Sequence, residues 1–175
     1  MSSSEPRLAR RCFGITALAA LPLLAGCNLR PIYGQAAQEG VRPELAAIEI
    51  VELGGRRGQY FRNYLIDELN PGGLMVSAAY TLEVRLRQEQ TALAIQLDDT
   101  ATRYNLVLGA DFALKRRVDD QVIYSSATRR VVSYNVRSDP FGTLVAEQDA
   151  DRRASREVAR QIRTMLSLYF AAQAA

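Results

Sequence analysis

The chain predicts an α+β fold, a two-layer sandwich in which two helices cover one face of a mainly antiparallel four-stranded sheet. Three observations carry this reading. Apolar residues alternate cleanly over Tyr80–Leu86, and residues 103–115 repeat the pattern. A third β-rich run over 121–135 follows the turn signal Asp119-Asp120. Helical apolar spacing occurs once before and once after these strands. The order is therefore β-α-β-β-β-α, and helices layered on one side of the sheet are the simplest way to bury both apolar surfaces.

The elements follow in chain order. Residues 28–43 carry Pro31, Gly34, Gly40 and Pro43 without a sustained period, which suits a tether. Leu45 to Leu53 (LAAIEIVEL) sets Ile48 and Ile50 against Glu49 and Glu52, a short strand. Gly54-Gly55-Arg56-Arg57-Gly58 breaks it. The stretch QYFRNYLIDELN that follows stacks Phe61, Leu65 and Leu69 at i, i+4 and i+8, with Asn70-Pro71-Gly72-Gly73 as its stop.

Tyr80, Leu82, Val84 and Leu86 then alternate with Thr81, Glu83, Arg85 and Arg87, the period of a strand with one wet face. Past the polar Asp98-Asp99-Thr100, residues Tyr104, Leu106, Leu108, Ala110, Phe112 and Leu114 share one side, with Gly109 marking a bulge or a close approach. In the run 121–135 the apolar residues split, since Val122, Tyr124, Val132 and Tyr134 share one parity while Ile123 and Val131 share the other. Its register stays open. From Thr143 to Ala172 a stripe of Ala150, Ala154, Val158, Ile162, Met165, Leu166 and Tyr169 opposes Arg152, Arg153, Arg156, Arg160 and Arg163, which are positioned to pair locally with Asp149 and Glu157.

The N-terminus says where the chain goes. Arg7, Arg10 and Arg11 precede an apolar stretch, Phe13 to Leu24, too short to span a bilayer, and Leu24-Ala25-Gly26-Cys27 closes it as a lipobox. Cleavage between Gly26 and Cys27 leaves the cysteine as the mature N-terminus, carrying covalent diacylglycerol and N-acyl lipid. Each buried methylene contributes about 0.8 kcal/mol, so several acyl chains hold where one would not. The chain thus divides into a signal peptide (1–26), a lipidated tether (27–43) and a single domain (44–175).

Composition narrows the function classes. The whole chain has 22 basic and 19 acidic residues; residues 1–26 hold three Arg and one Glu, so the mature part carries 19 against 18. That near-neutral balance argues against a nucleic-acid partner, which needs a basic excess. There is no His, and Lys115 is the one lysine, which removes the commonest general base and most Schiff-base or Ser-Lys chemistry. Of the two cysteines, Cys12 leaves with the leader and Cys27 is acylated, so no disulfide is expected. No metal or dissociable cofactor is expected either.

Several clusters carry competing readings. The GGRRG junction offers backbone N–H groups and two Arg to an anion, but it lacks the G-K-[ST] of a P-loop and reads first as an ordinary surface turn. Arg85/Arg87, Lys115-Arg116-Arg117 and Arg129-Arg130 suit phosphates by guanidinium geometry, or are simply solvated strand faces. The tyrosines fit the core or a sheet edge better than a base-stacking platform. Adjacent acid pairs in turns make poor general acid-base machinery, and no constellation supports catalysis.

Cys27-Asn28-Leu29-Arg30-Pro31-Ile32-Tyr33-Gly34 resembles the C-G-F-R-P-L-Y-G opening of the alphaproteobacterial LptE family of lipopolysaccharide-assembly lipoproteins, departing from it at Asn28 and Leu29. Tyr80-x-Leu82-x-Val84, Thr102-Arg103-Tyr104, Ser133-Tyr134-Asn135 and Ala146-Glu147-Gln148-Asp149-Ala150 are similar to later landmarks of that family, in the same order. The resemblance implies a non-enzymatic outer-membrane lipoprotein that plugs and helps assemble the large β-barrel LptD and contacts lipopolysaccharide. Asn28, in place of the Asp that retains enteric lipoproteins in the inner membrane, agrees with that destination. On this reading Arg103, Lys115, Arg116, Arg117, Arg129 and Arg130 are candidates to meet lipid A phosphates. The alternatives are an auxiliary lipoprotein of an ABC-type lipid-transport system and a lipid-anchored envelope hydrolase.

Overall fold

A computed structural model describes residues 41, 43–73, 76–95, 101–136 and 139–174. The lipobox, Cys27 and nearly all of the expected tether lie outside these residues. Residues 43–46 are helical and lead directly into β1 (Ile48–Ile50), so the first strand is three residues long and not the nine of Leu45 to Leu53. Then follow α1 (Gly55–Leu69), β2 (Tyr80–Ile95), β3 (Ala101–Arg116), β4 (Val122–Asn135) and α2 (Pro140–Gln173).

The sheet runs β1-β2-β3-β4. β2–β3 and β3–β4 are antiparallel, but β1 is parallel to β2, with Ile48 opposite Tyr80 and Ile50 opposite Leu82. The sheet is therefore mixed and not mainly antiparallel. The cause is α1: a helix between two neighbouring strands carries the chain back to the starting end, so the second strand runs in the direction of the first.

α1 begins at Gly55, one residue after its N-cap Gly54, so the Gly-Arg-Arg-Gly run that looked like a break is the first helical turn. Two glycines make this possible for different reasons. Gly55 has φ +77, a left-handed conformation that costs other residues about 1–2 kcal/mol. At Gly58 an added Cβ would lie 2.6 Å from the Leu53 carbonyl oxygen, so only glycine lets the helix pass the end of the strand connection. The buried face of α1 is Gly58, Phe61, Leu65 and Leu69, the predicted spacing extended one turn back.

α2 starts at Pro140, earlier than the stripe suggested, because the Asp139 side chain accepts from the Gly142 N–H and proline is preset for the first helical position. Its buried face includes Asp151, Ser155, Ala159 and Phe170 besides the expected Ala150, Ala154, Val158, Ile162 and Leu166. α2 packs on β3, β4 and α1, and α1 packs on β1, so both helices cover one face of the sheet. Leu82, Leu106, Leu108, Phe112 and Leu114 meet Phe61, Leu65, Val158, Ile162 and Leu166 in one core.

The split parity of the third long strand has a simple resolution. Leu114 faces Tyr124 while Lys115 faces Val122, a register shift that leaves Ile123 packed on the core and Val122 exposed. Val131 simply points to the other face and is exposed. Gly109 is neither bulge nor close approach: β3 runs through it in regular register, and a Cβ there would meet its nearest neighbour at 3.8 Å. The tyrosines are core and edge residues, with Tyr104 stacked on Tyr134 and Tyr124 on Tyr169.

Candidate functional site

The face of the sheet turned away from the helices is the first candidate surface. β3 contributes its odd-numbered residues, and the register sets Arg85, Asp111 and Ala127 in one cross-strand row and Arg87, Gly109 and Arg129 in the next. With no side chain at Gly109, the second row forms the floor of an open groove of about 460 Å³ edged by Arg87, Glu89, Asp111 and Arg129. Arg87 pairs with Asp111 across the strands. Two Arg and two carboxylates line the groove, so it carries no charge excess.

The six basic residues expected to meet phosphates do not converge. Lys115 donates to Glu83 at 2.6 Å, and that hydrogen bond, opposed by slight desolvation, raises its pKa. Arg116 pairs with Asp119 at 3.1 Å beside the β3–β4 turn, and Arg117 pairs with Glu49 on β1. Arg130 points to the helix side, where it donates to Gln161 of α2 at 2.7 Å. Arg103 and Arg129 alone of the six lie exposed on the helix-free face with no carboxylate partner among the described residues.

The arginine face of α2 is also tied differently from the expectation. Arg153 pairs with Asp149 at 2.8 Å, but Arg160 and Arg163 reach across to Glu68 of α1, and Arg156 lies over the Tyr64 ring. Glu157 takes no ion pair among the described residues. Exposed pairs of this kind contribute about 0–1 kcal/mol each.

A second candidate lies in the helix layer, where the start of α1 meets α2. Asp151 is 8% exposed, and both its carboxylate oxygens accept from Arg57 Nε at 3.0 Å while Oδ2 also accepts from the Tyr60 hydroxyl. Burial, then the hydrogen bond to this carboxylate, push the Tyr60 phenol up to about 12. Burial works against the Arg57 charge, but the hydrogen bond and charge of Asp151 outweigh it, and the guanidinium pKa is raised. Around this triad Arg56, Arg57, Tyr60, Gln148, Asp151 and Arg152 line a cavity of about 450 Å³. Asp151 is the residue that sequence reading missed. Its signal was a carboxylate directly after Ala150 on the apolar side of α2, a position that requires a buried partner.

Among the described residues no group of His, Cys, Asp or Glu is arranged to hold a metal, and no helix is long and apolar enough to cross a membrane.

Comparison with known proteins gives the following. The family model described as LptE, lipopolysaccharide-assembly, matches residues 45–166. A crystal structure of a candidate lipoprotein from Caulobacter crescentus is similar with TM-score 0.64 and 27% identity, covering 77% of this chain and 98% of that one. A minor lipoprotein from Acinetobacter baumannii (TM-score 0.55, 19% identity, 70% and 89% covered) and lipoprotein B from Nitrosomonas europaea (TM-score 0.54, 14% identity, 71% and 83% covered) share the fold. No curated protein sequence matches significantly.

Proposed function

The chain belongs to the LptE lipopolysaccharide-assembly family, and from that premise we propose that this envelope lipoprotein is the non-enzymatic plug subunit of an LptD-like outer-membrane β-barrel. It helps that barrel to assemble and assists the passage of lipopolysaccharide through it. The family match over residues 45–166 is the observation that carries this reading. The surface supports it. The helix-free face is mostly polar, with Glu83, Arg85, Arg87, Glu89, Asn105 and Arg129 around Gly109, Ala113 and Ala127 and with Val107 and Val131 among them, and such a face suits the polar lumen of a large barrel.

Lipid on Cys27 would anchor the subunit at the inner leaflet of the outer membrane. Of the six basic candidates, Arg103 and Arg129 are the two best suited to lipopolysaccharide phosphates, since neither is spent on a carboxylate. Lys115 and Arg117 serve first to tie the β3–β4 turn to β2 and β1, Arg116 to close the turn itself, and Arg130 to tie β4 to α2.

Affinity purification of the tagged chain after mild detergent extraction tests the proposal. A large heat-modifiable β-barrel should co-purify in stoichiometric amount. Recovery of a nucleotide-hydrolysing inner-membrane complex in its place would overturn the barrel reading and favour a role in ABC-type lipid transport.

A further inference from the structure

We propose that the cavity between the start of α1 and α2 is an anion site that takes a phosphate monoester. It lies in the helix layer, away from the open sheet face, and does not depend on the barrel contact proposed above.

Three guanidinium groups from two helices, Arg56, Arg57 and Arg152, line the cavity against a single carboxylate. That carboxylate is already committed. Asp151 is buried and receives Arg57 Nε and the Tyr60 hydroxyl, so its charge is offset by Arg57 and two cations remain uncompensated.

Arg57 itself is held in an unusual way. Its Nε is fixed by both oxygens of Asp151, the Tyr60 hydroxyl is a further hydrogen-bond partner, and its side chain is still 41% exposed. A guanidinium already held in place and partly open to solvent is prepared for a tetrahedral oxyanion, because the ordering cost is met before the ligand arrives.

Arg56 and Arg152 have no carboxylate partner among the described residues; Arg152 makes one long contact, 3.5 Å, to Gln148. Elsewhere on the molecule arginines that cluster are neutralised: Arg116 by Asp119, Arg117 by Glu49, Arg153 by Asp149, and Arg160 and Arg163 by Glu68. The three unneutralised arginines of the sheet, Arg85, Arg103 and Arg129, line no common cavity. Here, by contrast, three arginines line one open cleft against a single carboxylate, which leaves an excess of positive charge. A volume of about 450 Å³ admits a phosphate with a sugar-sized substituent. Two forks and a third guanidinium match a dianionic phosphate better than a carboxylate, which has only two acceptor oxygens.

The test uses the detergent-solubilised full chain and inorganic phosphate, read by the 15N shift of Arg57 Nε in NMR titrations. Saturable shifts are expected, with affinity falling about tenfold or more in the R56A/R152A double variant. The charge-matched R85A/R87A variant on the opposite face should lose less than about twofold, as screened long-range charge predicts. Non-saturating shifts, or equal losses in the two variants, would overturn the proposal by making the response a general effect of net charge. Micelles doped with phosphatidate identify the source of the group. Displacement of phosphate by the doped micelles assigns the site to a lipid headgroup, and no displacement assigns it to a soluble phosphate ester.

Discussion

Asp151 illustrates how one side chain organises its surroundings. A carboxylate on the buried side of α2 is tolerable only because Arg57 and Tyr60, both on α1, converge on it. Its effect on pH dependence has a definite sign. The Tyr60 phenol ionises near 12 in the folded chain against 10.0 unperturbed, so above pH 10 the unfolded chain releases this proton first and stability falls. The loss should run from about pH 10 to about pH 12. In Y60F that component disappears: unfolding midpoints measured from pH 8 to 12 should decline less steeply than in the parent chain, and parallel curves would show that Tyr60 titrates normally. The motif around Arg57 was legible as a concentration of positive charge, but its partner was not, because Asp151 is 94 residues away.

The helices and strands show which local signals survive packing. α1 kept its apolar spacing, yet its start moved into the glycine-rich run, since Gly58 lets the helix approach Leu53 more closely than any side chain would. Substitution G58A should therefore force the β1–α1 connection apart and cost about 1–3 kcal/mol, the usual penalty of overpacking, read as a lower denaturation midpoint with an unchanged m-value. If G58A were as stable as the parent chain, the approach would not be required. The long strands β2 and β3 were readable from alternation because each has one buried and one wet face. β4 was harder. Its register shift beside Lys115 lets Ile123 join the core out of phase, which a strict two-residue period cannot express. β1 was overextended because Leu45 and Ala46 are apolar enough to continue a strand but lie in a helical turn, with the Ala47 N–H bonded to the Pro43 carbonyl at 3.0 Å.

Taken together, the molecule has a direction. β1 enters beside the first residues of β2, near the β3–β4 turn, while the far ends of β2 and β3 lie close to the start of α2, where Gln90 bonds Glu147 at 2.7 Å. Sixteen residues of β2 span about 50 Å, so a chain tethered ahead of residue 43 would project the start of α2 well away from its attachment. For a lipoprotein in this family, C27A should abolish incorporation of radiolabelled palmitate and release the protein from the membrane fraction, and label retained in C27A would place the acyl group elsewhere.

Periodicity and turn residues are properties of adjacent residues, and they were sufficient for the element order and the buried faces of β2, β3 and α1. The direction of β1, the union of Arg57 with Asp151, and the separation of spent from unspent arginines depend on contacts between segments far apart in the chain. A charge has no sequence-local mark of whether a carboxylate will fold against it. That is settled only when the helices close over the sheet and each guanidinium either finds an acid or is left facing water.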